Sequence, residues 1–434
     1  MRLTAIPLLL LPALPALAAD EPESGGIPAA IAADVASGRA VFERVWLPAP
    51  GPAETDGLGP LFNAASCAEC HAADAGARRV LRLSAPAPEG EPPTEAEAIL
   101  AGRGDLPAIR RGDPQFGGQI QDRAVPGLAP EAVLSLHWET TPVAAPGDGS
   151  AIALRRPVPA LDLGAGTLAP GAAMSLRTAP RLAGLALLEA IPDAAILARE
   201  DPLDADGDGI SGRANLVWSG ARLAVVPGRF GWKATEATLR DQSAAAFSAD
   251  MGLSSFLRPA DAGDCTALQT ACLALPGGGE GPATEEVSDA DLAAVALYAG
   301  WTGLSRPPED GPGAALFAKT GCGACHLPEM QVPQPPAAGG TGTRHIHPFT
   351  DLLLHDMGPG LADSLPAGRA TGAEWRTAPL TGLGRATAFL HDGRAGTIAE
   401  AILWHGGEAA AARARFAALD AADRDRLLDW LAGL

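Results

Sequence analysis

The sequence predicts a mainly α-helical fold in two halves, with irregular and β-strand insertions in the N-terminal half. The two halves are predicted by a motif that occurs twice, as "CAECH" at 67–71 and as "CGACH" at 322–326. The fold class is predicted by helical patterns with recognisable start and stop residues over much of the chain. The 434 residues are enough for two or three domains.

The segments around the two motifs are also repeated. Gly38 and Gly313 each stand four residues before a Phe, and the motif follows in both cases. "RTAP" then occurs at 177–180 and again at 376–379. Self-similarity of this kind indicates an internal duplication, and each half therefore carries one motif.

The Pro- and Gly-rich stretch 305–313 is the best predicted boundary between the halves. Residues 19–309 then form an N-terminal domain, and residues 310–434 form a C-terminal domain. The first half has far more residues between its repeated motifs, so the insertions are predicted there.

The insertions are predicted to be partly β. In "AVLSLHWE", residues 132–139, apolar and polar residues alternate as they do in a half-buried strand. Segments 79–84 and 151–156 are weaker strand candidates, and Pro- and Gly-rich runs separate these segments as loops.

Three segments carry clear helix signals. Ser288 is a predicted N-cap for the helix that follows it, with an acidic residue three positions later. Thr397 and Glu400 form a predicted capping box. The last fifteen residues, 420–434, form an amphipathic pattern.

The repeated motif has the C-x-x-C-H pattern by which a c-type haem is attached to a protein. Two thiols at this spacing meet the two haem vinyl groups, and the next imidazole reaches the iron. A zinc site is the alternative, but it needs four Cys or His ligands from clustered pairs. Two covalently bound c-type haems are therefore predicted, one in each of two cytochrome c-like domains. The attachment residues are Cys67 and Cys70 for haem 1 and Cys322 and Cys325 for haem 2, and the axial ligands are His71 and His326.

The chemistry of each haem depends on the sixth ligand of its iron, since His or Met closes the site and an empty position admits peroxide or oxygen. Before residue 322, the mature chain offers only His71, His137, Met174 and Met251. After it come His326, His345, His347, His355, His391, His405, Met330 and Met357. This distribution favours an open haem 1 and a closed haem 2, although ligands can cross between halves.

The N-terminus has the pattern of a secretory signal. One Arg precedes an apolar stretch that ends in Ala16-Leu17-Ala18, so cleavage is predicted after Ala18 and residues 1–18 form the signal peptide. A retained membrane anchor is the alternative, but the stretch is short and broken by three prolines, and a spanning helix needs about 20 apolar residues. We expect an exported, periplasmic protein without a membrane span in its mature form.

The formal net charge is −19 at neutral pH. This charge argues against nucleic acid and anionic membrane surfaces as partners. A negative charge of this size would attract a basic redox partner.

Cys265 and Cys272 lie outside the haem motifs. Export makes a disulfide between them plausible. The alternative is a redox-active dithiol, but no His or basic residue stands close enough to favour the thiolate.

Two further features have open interpretations. "DADGDGISGRAN", residues 204–215, has the spacing of the first part of a calcium loop but lacks Glu at the twelfth position, so a solvated acidic turn is the alternative. Its candidate ligands are Asp204, Asp206, Asp208, Ile210 and Asn215. Trp232 in "GRFGWKA" is a candidate for an aromatic residue between two haems, or a core residue.

Together these motifs resemble the bacterial di-haem oxidoreductase family, also described as thiol oxidoreductases, over most of the chain from about residue 35. The family resembles a branch of the di-haem cytochrome c peroxidase superfamily. The resemblance implies two cytochrome c domains, in which one haem takes electrons from a donor and the N-terminal haem is where peroxide reacts. It rests on "DGLGPLFNAASCAECH", "FGGQIQDRAVPG", "APRLAGLALLEAI", "DADGDGISGRAN", "GRFGWKA", "DLLLHDMG", "EWRTAPL" and "FLHDGRAGTIAEAILWHGGEA".

The resemblance is incomplete at the sixth ligand of haem 2. The peroxidases often carry a Met where this chain has Glu374. His355 or Met357 is our predicted substitute, and His would lower while Met would raise the reduction potential. The resemblance also suggests pocket residues, namely His391 and His405, and Gln119, Gln121 and Glu189 on the distal side of haem 1.

The leading functional hypothesis is an exported, peroxidase-like di-haem oxidoreductase. Haem 2 would accept electrons from a small redox protein, a cytochrome or cupredoxin, and haem 1 would activate peroxide or oxidise a bound partner. The alternatives are a pure electron carrier with two six-coordinate haems, and a haem enzyme that modifies or oxygenates a protein or organic substrate.

Overall fold

A computed structural model describes most of the chain, and structural statements below refer to this part of it. The described ranges are 31–52, 54–71, 78–102, 109–144, 151–164, 166–260, 262–278, 285–302, 310–333 and 342–434. The predicted signal peptide, 1–18, lies outside these ranges, as does most of the predicted domain boundary at 305–313.

The helices occur mainly in three groups, near the first motif, between residues 185 and 320, and at the C-terminus. They are α1 Ala32–Glu43, α2 Cys67–His71, α3 Glu95–Gly102, α4 Leu185–Glu189, α5 Asp193–Leu197, α6 Leu239–Met251, α7 Thr270–Leu273, α8 Asp289–Trp301, α9 Pro312–Thr320, α10 Ile398–Trp404, α11 Ala410–Ala417 and α12 Ala421–Ala432.

The strands are short, apart from β4 and one long hairpin. They are β1 Leu47–Pro48, β2 Asp56–Leu58, β3 Leu61–Phe62, β4 Arg79–Pro86, β5 Arg110–Arg111, β6 Gln119–Ile120, β7 Arg123–Ala124, β8 Val133–Ala144, β9 Ala151–Asp162, β10 Ala173–Thr178, β11 Leu216–Ser219, β12 Ala224–Pro227, β13 Met330–Pro333, β14 Thr343–Ile346, β15 Leu354–Asp356 and β16 Glu374–Arg376.

The prediction of a mainly α fold is wrong. Helices hold 31% of residues and strands 23%, spread over many small sheets. Strand content exceeds the prediction because β8 and β9 pair over twelve residues each, and because β13 to β16 add two ladders in the C-terminal half, where only helices were predicted.

The predicted strands of the N-terminal half are confirmed. β4 lies in a four-stranded sheet beside β10, with β5 and β6 on its other side. β8 pairs with β9 in antiparallel register, from Val133 opposite Asp162 to Ala144 opposite Ala151. Leu134 and Leu136 pack towards a small core while Ser135 faces solvent, as the alternating pattern predicts.

The duplicated segments form equivalent helix pairs. α1 packs against α8, and α9 packs against α12. A Cβ atom on Gly38 would lie 2.0 Å from the Ala294 carbonyl oxygen, and one on Gly313 would lie 2.2 Å from Trp430 Cβ. Each repeated glycine therefore allows two helices to approach closely beside one CxxCH motif.

The predicted helix starts at Ser288 and Thr397 are confirmed, and the predicted C-terminal helix has a cap at Asp420. The side chains of Ser288, Thr397 and Asp420 each accept a hydrogen bond from the backbone N–H three residues later. Such caps satisfy backbone donors that the first helical turn leaves free.

A buried cluster joins the two halves. Leu188, Ile196 and Phe230 from the N-terminal half pack with Met330 and Leu353 from the C-terminal half. This cluster packs residues of the two motif-bearing halves against each other.

A disulfide joins Cys265 and Cys272, whose Cα atoms are 6.2 Å apart. Within the described ranges, every helix is too short or too polar to cross a membrane.

Candidate functional site

The first motif forms helix α2 against the α1–α8 pair. Cys67 and the neighbouring Ala68 pack on the buried cluster that contains Phe42 and Phe247. The ring of Phe42, four residues after the repeated glycine, lies 6.2 Å from the ring of His71. The repeat therefore places an aromatic side chain beside the motif histidine.

The four motif cysteines form no disulfide, and the thiols of three of them have raised pKa values. Burial, together with the negative charge of Asp250, raises the pKa of Cys67 and of Cys70 to about 12. Burial also raises the pKa of Cys322. Since the thiolate is the nucleophile in thiol–disulfide chemistry, these cysteines are poor candidates for a redox-active dithiol.

The two motif histidines are half-buried and neutral at pH 7. Burial lowers the pKa of His71, against an opposing hydrogen-bonding interaction with the Pro180 carbonyl. Burial, and the neighbouring His405, lower the pKa of His326 to about 4. His326 Nδ1 donates to the Phe349 carbonyl at 3.0 Å, which leaves Nε2 for a metal.

These features fit a haem at each motif. Each site offers two free thiols at the required spacing and a neutral imidazole held by a backbone carbonyl, the usual way in which a ligating histidine is oriented. The donor set is unsuited to a tetrahedral zinc site, because each motif brings three Cys or His residues rather than four.

The surroundings of the first motif are polar and incompletely paired. Gln119 Nε2 donates to Asp250 Oδ1 at 2.8 Å, and Gln121 Nε2 donates to the Ala249 carbonyl at 2.9 Å. Both amide oxygens are buried without a hydrogen-bond partner in the described chain. Asp250 also acts electrostatically on His71 and both motif thiols, so Gln119 and Gln121 are linked to the motif through the segment that carries Asp250.

Glu189 lies elsewhere. Its carboxylate accepts a hydrogen bond from the Leu239 backbone at the start of α6, at 2.8 Å. It lines a surface groove with Arg222 and Arg240. The structure does not bring it together with His71.

The second motif lies beside a buried charged triad. His355 is only 3% exposed, and its Nδ1 contacts Glu408 Oε2 at 2.7 Å while its Nε2 contacts Asp351 Oδ2 at 2.9 Å. Burial alone would lower the pKa of His355, but the hydrogen bonds, foremost that with Asp351, outweigh it and raise the pKa to about 12. Both ring nitrogens are occupied, and this geometry argues against His355 as an iron ligand.

One set of atoms in this region has the spacing of a metal site. A ligand atom each from Cys325, Asp351 and His355 lies within 4.8 Å of the others. Haem attachment would consume the Cys325 thiol, so a separate metal ion here conflicts with the motif.

The other predicted residues of the C-terminal half lie in different surroundings. Met357 is half-buried, and its backbone carbonyl oxygen would lie 2.9 Å from a Cβ atom on Gly406. The ring of His405 lies 6.5 Å from the ring of His326, and its Nδ1 donates to the Ala401 carbonyl at 2.8 Å. The structure therefore brings His405 to the second motif.

His391 belongs to a buried aromatic and cationic stack. Its ring lies parallel to that of Trp375 at 3.8 Å, and Lys233 Nζ lies 4.2 Å from the centre of the same indole. Lys233 is fully buried, donates to Asp363 Oδ1 at 3.1 Å, and has a pKa lowered by burial to about 8. Burial, with Arg394 next, keeps the pKa of His391 well below its usual value.

Trp232 connects the two copies of the "RTAP" repeat. Its indole N–H donates to the Thr178 carbonyl at 2.8 Å, and its own carbonyl accepts from the Arg376 N–H at 3.0 Å. Pro180, two residues after Thr178, contacts His71.

From the backbone carbonyl of Trp232 the route continues through Arg376 to the second motif. Thr377, which follows Arg376, accepts at its carbonyl from Thr350 Oγ1 at 2.6 Å, and the adjacent Phe349 carbonyl accepts from His326. A short chain of covalent and hydrogen-bonded links therefore joins the two motif histidines through Trp232.

The acidic loop differs from the predicted ligand set. Asp201, Asp204 and Asp206 have carboxylate oxygens within 4.8 Å of one another. Asp208 instead accepts from the Ile210 N–H at 2.8 Å. Asn215 is fully buried, and its amide donates to the carbonyls of Lys233 and Ala367. Asn215 therefore has a structural role.

Sequence reasoning did not single out four residues that shape the two sites: Asp250, Asp351, Glu408 and Lys233. Asp351, Glu408 and Lys233 stand inside motifs that carry the family resemblance. Their partners are distant in sequence: Glu408 and His355 are 53 residues apart, and Lys233 and Asp363 are 130 residues apart. A linear motif gives no signal for such pairs.

Two CxxCH motifs whose histidines have lowered pKa values, in halves that pack against each other, define the class of di-haem proteins. A family model described as "Di-haem oxidoreductase, putative peroxidase" matches residues 131–434, and the chain belongs to this family. The match confirms the resemblance and shows that the protein is an oxidoreductase with haem cofactors. No curated protein and no solved structure matches the chain.

Proposed function

We propose that the protein is an exported di-haem c-type cytochrome oxidoreductase of peroxidase type. Electrons would enter at the C-terminal motif and pass to the N-terminal motif, where peroxide reacts or a partner is oxidised. The attachment would be covalent, through Cys67 and Cys70 and through Cys322 and Cys325.

The observation that carries this proposal is the asymmetry of the two motifs. Among the described residues no second histidine ring pairs with His71, and Asp250, whose charge acts on His71, is bonded to Gln119, which has a buried amide oxygen without a partner. Beside His326 there is a second imidazole, that of His405, and a triad of charged groups. These differences favour binding of a small polar ligand at the first motif and a six-coordinate iron at the second.

Haem iron, when bound, supplies one-electron transfer and the reduction of peroxide. The chain's own contribution at the first motif would be to orient the peroxide. The free amide oxygens of Gln119 and Gln121 can each accept one hydrogen bond from an O–H group. Both side chains are fixed by hydrogen bonds to the segment around Asp250, so they are positioned before the substrate arrives.

Trp232 would mediate electron transfer between the two sites. Its indole N–H bonds the first "RTAP" segment and its backbone carbonyl bonds the second, and each segment is linked to one motif histidine. A fixed aromatic group within a continuous bonded route is well placed for this role.

Export supports the covalent attachment and the choice of partner. The N-terminal 18 residues have the signal-peptide pattern, and the net charge of −19 suits a small basic donor such as a cytochrome or cupredoxin. We expect the protein isolated from the periplasm to begin near Ala19, which N-terminal sequencing would test.

The acidic loop would bind Ca²⁺ through carboxylates of Asp201, Asp204 and Asp206, since hard oxygen ligands suit this ion. A chelator is expected to lower the Tm, and the D204N variant should lose this response. D208N is the matched control, because Asp208 is an acidic residue of the same loop that does not belong to the group of three clustered carboxylates. A Tm that a chelator leaves unchanged would rule out the calcium site.

The main test is spectroscopic. The purified protein should contain two covalent haems, and its EPR spectrum should show one high-spin and one low-spin species. Peroxide should remove the high-spin signal. Two low-spin haems that do not respond to peroxide would instead identify a pure electron carrier, while coupling of the peroxide response to an organic or protein substrate would indicate a modification or oxygenase enzyme.

A further inference from the structure

His405 stands at the end of α10 with one side of its ring fixed and the other free. Its Nδ1 donates to the Ala401 carbonyl, one turn earlier in the same helix, at 2.8 Å. Within the described chain, its Nε2 has no hydrogen-bond partner. His326 has the same arrangement, with Nδ1 bound to the Phe349 carbonyl and Nε2 without a protein partner.

The separation of the two rings has the size that a shared metal ion requires. Their centroids are 6.5 Å apart. Two imidazoles bonded through nitrogen to one metal, with bonds of about 2 Å, have centroids roughly 6 to 6.5 Å apart. The rings are tilted by 47°, which rotation about the common nitrogen–metal–nitrogen axis permits.

The competing ligands of the C-terminal half are less suitable. His355 has both ring nitrogens bound to carboxylates, and releasing either one would expose a buried charge. His391 is stacked on Trp375. His345 is an exposed residue that pairs with Glu329. Each of these side chains already has a partner that it would have to leave.

Orientation by a backbone carbonyl supports a ligand role for His405. A ligating histidine commonly donates its second nitrogen to a carbonyl or carboxylate, which fixes the tautomer and the ring direction. Gly406 and Gly407 follow directly, and a Cβ atom on either would come within 3 Å of the backbone of the 356–358 segment. The close approach of these two segments determines where the end of α10 lies.

We infer that His405 is the sixth ligand of the haem at the second motif, so that His326 and His405 form a bis-histidine pair. This inference rests on the proposed function, because it requires a haem at Cys322 and Cys325. It replaces His355 and Met357 in the predicted role and leaves Met357 at the edge of the site. Bis-histidine ligation gives a closed, low-spin iron with a lower potential than histidine–methionine ligation.

The test compares the H405Q and H405G variants with the wild type, using the full-length protein matured with haem. Haem content is measured first. Optical and EPR spectra of H405Q should show loss of the one low-spin signal and gain of a second high-spin signal. Added imidazole should restore the low-spin signal in H405G, which a purely structural role for His405 would not produce.

H345Q, at an exposed histidine, is the matched control and should keep the wild-type spin states, while H355Q tests the rival ligand. Near-infrared magnetic circular dichroism of the wild type gives a reading that does not depend on any variant folding, and it should show the band position of histidine–histidine ligation. A histidine–methionine band, an unchanged spectrum in H405Q, or loss of the low-spin signal in H355Q alone would overturn the assignment. A protein without two covalent haems would overturn the proposed function itself, so the two failures are distinguishable.

Discussion

His355 is held as an imidazolium by two carboxylates in a buried position. Because Asp351 and Glu408 occupy both ring nitrogens, the charged ring carries a fixed positive charge close to the attachment cysteine Cys325. Glu408 also accepts hydrogen bonds from the backbone and hydroxyl of Ser211. One histidine thus connects the second motif with the acidic loop of the N-terminal half.

The charge state of His355 predicts a pH dependence of stability. Its pKa is raised from 6.5 to about 12 in the folded protein, so the stabilisation is complete below pH 6.5 and is lost as the pH rises towards the folded value. The free energy of unfolding of the wild type, minus that of H355Q, should therefore fall between pH 6.5 and pH 9. Urea unfolding across this range measures it.

At low pH, H355Q should cost about 3 kcal/mol, because Asp351 is left buried without its partner. H345Q, at an exposed histidine, is the control and should change the free energy of unfolding little. A difference between wild type and H355Q that does not vary with pH would contradict the assigned charge state.

Trp232 is predicted to matter for both stability and electron transfer. W232F removes the hydrogen bond to the Thr178 carbonyl and should lower the free energy of unfolding by about 1 kcal/mol. If electrons pass through the indole, peroxide-driven oxidation of the second haem should slow in stopped-flow measurements. W218F, at a tryptophan that is 39% exposed, should match the wild type in both. Wild-type electron transfer in W232F would exclude the route through its indole.

At the scale of secondary-structure elements, the repeated glycines determine the packing of the two helix pairs. The atoms that a Cβ on Gly38 would meet are the backbone oxygen and carbon of Ala294, at 2.0 and 2.6 Å, so no side-chain rotation can relieve the contact. The same helix α1 carries Phe42, which contacts His71. A shift of α1 away from α8 would therefore also disturb the first motif.

G38A and G313A should each lower the free energy of unfolding by about 1 to 3 kcal/mol, as overpacking of a close helix contact does. G102A is the control, because a Cβ on Gly102 in α3 would have no neighbour within 4 Å and should be neutral or slightly stabilising. Thermal unfolding followed by circular dichroism compares the three. Equal Tm values for G38A and G102A would mean that α1 and α8 can separate without cost.

The features that the sequence predicts correctly depend on short-range contacts. The Thr397 cap bonds a backbone N–H three residues away, and each CxxCH motif spans five residues. β15 and β16 were not predicted, because three-residue strands carry no periodic signal and Leu354 pairs with Arg376 across a loop. Asn215 was predicted as a calcium ligand from a linear motif. In the fold, its side-chain amide instead donates to the backbone carbonyls of Lys233 and Ala367.

At the scale of the whole molecule, charged and apolar contacts hold the two halves in one arrangement. Arg213 of the N-terminal half binds Glu374 of the C-terminal half, with Nε to Oε1 at 2.7 Å. The resemblance to the peroxidases implies a methionine ligand at the position of Glu374, but here the Glu374 carboxylate makes this contact between the halves. A ligand for the second haem from a different element, such as α10, is compatible with this contact.

Net charge predicts how the molecule meets its electron donor. With a formal charge of −19, the protein should attract a small basic cytochrome over a distance set by ionic strength. Raising the salt concentration from about 0.01 M to about 0.15 M shortens the Debye length from about 30 Å to about 8 Å, and should slow the second-order reduction of the second haem. Stopped-flow kinetics measures this rate. An acidic donor of similar size should show the opposite trend, because salt screens its repulsion. If reduction by the basic donor is independent of salt, the binding face is not acidic, and the negative charge of the protein has no part in the choice of donor.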